Sequence, residues 1–281
     1  MKKTAIALLI AFICVVLGAA ICVGGLANLG FDFSRLDTTK YVSTEYAFEG
    51  TVDEIDLTLY TTDAQIVPAR DGVCRVAVLE EEDYPHTVTL EGGQLSIQGS
   101  ERRRPWSFGI RMQYALVTVY LPEESYHRLE AQTASGDLLV DGNFSFETAE
   151  LEAATGDVTW RHAGTEDLEI AIATGDVVVA DCAPGALQIA AATGDVSISE
   201  VITPGDMRCH VSTGDILLNR VDGKNIYLEG TTGDISGSIL TPKAFHGEAT
   251  TGSVSVPSTE AEGVCRVKTT TGDIKLWLSE E

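Results

Sequence analysis

Ala5 to Ala27 runs for 23 residues without a charged or strongly polar side chain, and beyond it the chain changes to short alternations of apolar and polar positions. As a helix the first stretch would span roughly 34 Å, enough to cross the hydrocarbon layer of a bilayer. It predicts one N-terminal transmembrane helix. Lys2 and Lys3 precede it and no basic residue follows until Arg35, so the positive-inside bias puts the N-terminus in the cytoplasm and everything after about Phe31 outside. A cleaved signal peptide is the competing reading, with Gly18-Ala19-Ala20 as a small-residue site, but its apolar region is normally shorter. A lipoprotein is set aside because Ile21, not a small residue, precedes Cys22.

From residue 129 onward a tripeptide recurs that reads Thr/Ser-Gly-Asp in seven of eight copies. Its glycines are Gly136, Gly156, Gly175, Gly194, Gly214, Gly233, Gly252 and Gly272, spaced by 19 or 20 residues throughout. A period near 20 is the mark of a solenoid or array. The third, fifth and seventh positions before each glycine are mostly apolar, as in Leu168, Ile170 and Ile172, while the fourth and sixth carry side chains such as Glu152 and Glu150 or Lys268 and Arg266. That is a strand with one wet face. The second position after the glycine is always aliphatic, from Leu138 to Ile274, which opens a second strand. Turn-rich segments such as Ala183-Pro184-Gly185 and Thr203-Pro204-Gly205 then close the repeat.

The same strands laid out as an antiparallel meander would tolerate loops of varying length. Stacked coils would not, because each residue sits above its counterpart in the neighbouring turn. The constant spacing therefore predicts an all-β fold, a parallel β-solenoid of about 19–20 residues per coil. The glycine is expected to supply positive φ at a sharp corner. The small residues two before it, Ala134 to Thr270, are expected to fit a crowded corner, and the Thr column just before it to point inward and bond corner backbone. Residues 45–127 are β-rich but less regular; Ile55, Leu57 and Leu59 read as a degenerate first coil, and residues 114–121, stopped by Pro122, as a buried strand. The organisation is then 1–31 stub and transmembrane helix, 32–44 juxtamembrane linker, 45–127 N-terminal cap, and 128–281 regular coils.

The formal charge of −23, or −25 once Lys2 and Lys3 are set aside, excludes nucleic acid as a natural partner. No nucleophile elbow, phosphate loop, paired-cysteine metal site or metalloprotease helix is present. His86, His127, His162, His210 and His246 read as scattered surface histidines. Cys74, Cys182, Cys209 and Cys265 can pair in three ways in an oxidising compartment, or serve as small buried hydrophobes. Arg102-Arg103-Arg104-Pro105-Trp106 reads as a solvated loop able to touch anionic polymer or headgroups. The sharpest chemical feature is an acidic column: Asp137, Asp157, Asp176, Asp195, Asp215, Asp234 and Asp273, broken by Ser253. Each Asp is expected to accept backbone N–H groups at its own turn. As the alternative, weakly held Ca²⁺ would settle between neighbouring carboxylates, the one candidate metal site.

One N-terminal apolar segment, the Val117-Thr-Val-Tyr-Leu-Pro122 strand and serial T-G-D-[VI] repeats resemble the bacterial envelope family of adhesin-like proteins with β-strand repeats, over roughly residues 45 to 278. The resemblance implies a β-solenoid in a Gram-positive envelope. The expected function is a membrane-anchored structural, adhesive or binding module, not an enzyme and without a cofactor, with cell-wall polymers or another envelope protein as partner. An accessory or sensor in envelope-stress signalling is the alternative, and a carbohydrate-active β-helix enzyme a further one. Small residues from Gly18 to Ala27 would let the helix pack against a membrane partner.

Overall fold

The computed structural model describes residues 2–28, 30, 39–48, 50–100, 114–259 and 261–279. The chain divides into two units, Met1–Tyr41 with Arg104–Tyr114, and Val42–Arg103 with Ala115–Glu281. In the first, the apolar stretch forms helix α1 (Lys2–Asn28). The side chains of residues 2–10 and 26 lie outside the described residues, and among the described residues no helix is long and apolar enough to cross a membrane. Most of the 32–44 linker and the Arg102–Trp106 loop also lie outside them.

The second unit is all β. Its strands are β1 (Tyr41–Ala47), β2 (Glu54–Leu59), β3 (Thr62–Pro68), β4 (Arg75–Glu81), β5 (Thr87–Glu91), β6 (Gln94–Gln98) and β7 (Ala115–Leu121). The repeat region adds β8 (Ser125–Thr133), β9 (Leu138–Asp141), β10 (Ser145–Thr155), β11 (Val158–Arg161), β12 (Gly164–Thr174), β13 (Val177–Cys182) and β14 (Ala186–Thr193). It ends with β15 (Val196–Thr213), β16 (Ile216–Thr232), β17 (Ile235–Ile239), β18 (Ala244–Thr251), β19 (Val254–Ser255), β20 (Val264–Thr271) and β21 (Ile274–Leu278). Strands before each corner glycine pair in parallel into sheet I and those after it into sheet II; β15 and β16 bend and contribute to both. In each coil the inward positions are buried, as Leu168, Ile170 and Ile172 are before Gly175, and Val177 and Val179 after it. Stacking thus turns a period-2 pattern into one continuous core. Trp160, wholly buried, donates Nε1–H to Ala163 O at 2.9 Å and packs beside Phe146.

The stack does not follow chain order at either end. Sheet I runs β6, β2, β8, β10, β12, β14, β15, β16, β20, β18, and sheet II runs β7, β3, β9, β11, β13, β15, β16, β17, β21, β19. After β17 the chain crosses to the outermost level, then β20 and β21 return to fill the level it skipped. The expectation of one coil directly above the preceding one is corrected there. The gain is physical: the C-terminal strand has a partner on both sides instead of fraying at an edge. Lys243, in the crossing segment, is buried with Nζ 2.8 Å from Asp222 Oδ1. The outermost coil carries the cost: Val254 is 42% exposed where its counterpart Val158 is fully buried. At the other end, antiparallel β4 lies beside β7 and antiparallel β5 beside β6, closing edges that would otherwise offer unpaired N–H and C=O groups.

The second corner of each coil has a signature invisible in composition. His162, Asp181, Glu200 and Arg220, each six residues after a corner glycine, hold φ between 52° and 60°. A non-glycine residue there costs roughly 1–2 kcal/mol, and glycine costs roughly 0.4–1 kcal/mol of unfolded-chain entropy in exchange. Asp181→Gly is therefore expected to stabilise the protein by about 0.5–1 kcal/mol in urea unfolding monitored by circular dichroism.

Candidate functional site

At the first corner the glycines adopt φ between 132° and 158°. The bend takes the following Asp N–H out of the strand ladder, and a side chain from the adjacent coil supplies its acceptor. Asp137 N donates to Asp63 Oδ1, Asp157 N to Asp137 Oδ1, and Asp176 N to Asp157 Oδ1, all at 2.8–3.0 Å. The chain of bonds continues through Asp195, Asp215, Asp234 and Asp273 at 2.7–2.8 Å. The acceptor is one coil away, not at the Asp's own turn as the sequence reading has it. The column also includes Asp63, outside the T-G-D motif. Ser253, the break in the motif, occupies the outermost level, where no further coil offers an N–H; its own N–H and hydroxyl donate to Asp273 Oδ1 at 2.7 and 3.0 Å. Those two bonds hold the Asp273 carboxyl below its ordinary value, the backbone one contributing most.

The ladder offsets the repulsion expected between carboxylates one coil apart. Asp195→Asn keeps the Oδ1 acceptor and removes a charge, so its thermal midpoint should stay near that of the wild type. Asp195→Ala orphans the Asp215 amide, and should cost about 1 kcal/mol, a drop of roughly 2–4 °C in a calorimetric scan. Among the described residues no group of three or more His, Cys, Asp or Glu side chains converges.

Two columns beside the ladder face differently from expectation. Thr155, Thr174, Thr193, Thr213, Thr232 and Thr271 are exposed, not inward. The glycine corner takes up the change of direction, so the residues one and two before it both face solvent. Their hydroxyls make no hydrogen bond within the described protein. The small residues two before the glycine are likewise outward, and Ala134, Ala154, Ala173, Ala192 and Ser212, with Ala171 and Ala190, line an open groove of about 660 Å³ on the outer face of sheet I. They leave a shallow hollow where larger side chains would fill it.

His86 corrects the reading of all five histidines as surface groups. It is buried, with Nδ1 2.9 Å from Glu80 Oε2 and Nε2 3.0 Å from Thr62 Oγ1. A carboxylate at Nδ1 keeps the proton there and leaves Nε2 to accept the Thr62 hydroxyl. The order hydroxyl, imidazole, carboxylate is that of an activated nucleophile, but the adjoining cavity holds about 10 Å³, the volume of one water centre. The residue lies in the aperiodic region, where no column flags it. His127, His162 and His210 are exposed and sit beside Glu147, Asp141 and Glu229. Cys74, Cys182, Cys209 and Cys265 are free and buried, and burial pushes the Cys74 thiol up to about 11 and the other three to about 12. They behave as core residues and not as reactive thiols.

Stacked parallel coils, a glycine corner at a fixed period and an aspartate ladder define a parallel β-solenoid of one repeated unit. The chain belongs to the Toastrack DUF4097 family, whose model matches residues 52–239. Among solved structures it is similar to a candidate adhesin of Bacteroides fragilis at 14% identity, covering 86% of this chain and 99% of that one with a TM-score of 0.54, which shows a shared fold. It is also similar to a candidate lipid-binding protein of Parabacteroides distasonis at 17% identity, with 85% and 98% covered and a TM-score of 0.43. No protein with a curated description matches.

Proposed function

We propose that the chain is a membrane-anchored, extracytoplasmic binding module of the cell envelope, and not an enzyme, that holds extended hydroxyl-rich polymers along its threonine column. The observation that carries this is the column itself. Exposed hydroxyls recur once per coil, about 4.8 Å apart, on a backbone fixed by the ladder beside them. Each hydroxyl can donate and accept, so the row matches a repeating glycan without a pocket, and preorganisation limits the ordering cost of binding. Among the described residues the buried Thr62, His86 and Glu80 group adjoins a cavity of only about 10 Å³, which supports a non-enzymatic reading. The uncharged stretch Ala5–Ala27 with Lys2 and Lys3 ahead of it supports anchoring with the N-terminus in the cytoplasm. Calcium is not part of this reading, which rests on the threonine column alone.

The test is co-sedimentation of the full chain, in detergent, with purified cell-wall sacculi. The wild type should sediment, and Thr174→Val with Thr193→Val and Thr213→Val should lose most of that binding while keeping its thermal midpoint, because valine is at home on a strand face. No sedimentation of the wild type, or equal sedimentation of the triple variant, would overturn the proposal.

A further inference from the structure

The outer face of sheet I carries an ordered reversal of charge along the stack. The positions six before each corner read, from the β2 level upward, Asp56, Glu130, Glu150 and Glu169 in the first half. Gln188 follows on β14, and then Arg208, Tyr227, Arg266 and His246. In a chain of net charge −23 this half-face carries Arg208, Arg266 and Lys268, the last in register between Glu229 and Glu248. Lys268 lies beside Arg266 on the same strand, and neither makes an ion pair among the described residues. Arg208 pairs with Asp206 at 2.6 Å and stacks over Tyr227 with 5.1 Å to the ring centroid. In the acidic half, Arg128 approaches Glu130 at 2.6 Å and Glu150 at 3.8 Å. These pairs are solvent-exposed and weak. Between the halves lies the uncharged alanine hollow, with Ala171, Ala173, Ala190 and Ala192.

We infer that this face is a docking surface for a second copy of the chain, the two solenoids lying face to face and antiparallel about a two-fold axis parallel to the strands over β14. That operation pairs each level with the level equally far on the other side of β14. Glu169 then meets Arg208 of the second copy, Glu130 meets Arg266, Glu150 meets Tyr227 and Asp56 meets His246. In the column four before each corner, Gln132 meets Lys268 and Ala190 meets its own counterpart on the axis; Glu152 opposite Glu229 is the like-charge contact of these two columns. An isologous interface requires such self-complementarity. At the axis the alanines present no long side chain and Gln188 meets its own counterpart, an uncharged amide pair, while the charges beyond it fix register and direction.

Analytical ultracentrifugation of the full chain in detergent tests this. The wild type should dimerise. Arg208→Glu with Arg266→Glu, and separately Glu130→Arg with Glu169→Arg, should each weaken self-association by roughly 30-fold or more, because like charges then oppose one another at both ends of the face. Mixed one to one, the two variants should form a heterodimer of wild-type affinity, since every reversed contact is again between opposite charges. The inference is overturned if the wild type is a monomer, if either variant dimerises as the wild type does, or if the mixture stays monomeric. A monomeric wild type retained on a heparin column through Arg208 and Arg266 would assign the basic half to a polyanion instead. Because the threonine column is untouched by these substitutions, sacculus binding reports on the proposed function independently.

Discussion

Gly194→Ala should destabilise the protein by roughly 3–5 kcal/mol, lowering the midpoint of a calorimetric scan by about 10 °C. Two costs add. Gly194 holds φ at 133°, a region that L side chains rarely enter. A Cβ built there would also lie 1.7 Å from the carbonyl oxygen of Gly175 in the adjacent coil, and backbone cannot step aside as a side-chain tip can. Relief would require opening the corner that carries the Asp176–Asp195 bond, so the damage should spread along the ladder. Gly164→Ala is the matched control: its nearest neighbour would be 3.8 Å away, and no positive φ is involved. It should change stability by less than about 0.5 kcal/mol. Chemical denaturation of both variants beside the wild type checks the contrast.

Two residues inserted between Val196 and Ser197 should abolish cooperative folding, whereas the same insertion between Gly223 and Lys224 should cost about 1 kcal/mol. Val196 and Ser197 pair with Val177 and Val178 on one side and Ile216 and Leu217 on the other. A two-residue slip preserves which face each side chain takes, but displaces every downstream partner by about 6.6 Å, so hydrophobes would still point inward against the wrong neighbours. The second site lies where the molecule already absorbs a length change. Thr203 pairs with Gly223 and Asp206 with Asn225, so two residues bulge in one coil where one does in the next. That is how coils of 20 and 19 residues share one stack. Urea unfolding followed by tryptophan fluorescence and circular dichroism separates the two insertions.

The regular coils were legible because strand period and repeat period are both imposed by packing. Leu168, Ile170 and Ile172 are inward for the same reason that their pattern is recognisable. Threading was not legible. The steps from Gly233 to Gly252 and from Gly252 to Gly272 have the same length within one residue, so spacing alone does not say which coil lies next to which. The usable signal was Ser253: a level with no neighbour beyond it has no amide to accept, and is the one place where the column can lose its carboxylate. The direction of the threonines is not legible in the sequence, because period-2 counting carries the alternation on through the corner, whereas the glycine there takes up a turn and leaves two consecutive residues outside. In the sequence alone the alanines suggest a crowded corner. They face outward, and only the stack shows that they adjoin the boundary between an acidic and a basic half of one face.

The arrangement of the last two coils is the most direct test of the stacked account. Thr271 pairs with both Thr232 and Thr251, which places Thr270 between Thr231 and Thr250 on the exposed side of sheet I. Neighbouring strands lie about 4.8 Å apart, within disulfide reach, and strands two levels apart lie about 9.6 Å apart, beyond it. The four cysteines of the solenoid are buried, so they will not compete. Under mild oxidation, Thr231→Cys with Thr270→Cys should form an intramolecular disulfide detected by peptide mass mapping, and Thr231→Cys with Thr250→Cys should not. A bridge in the second variant and none in the first would mean that the coils stack in chain order and would contradict the account.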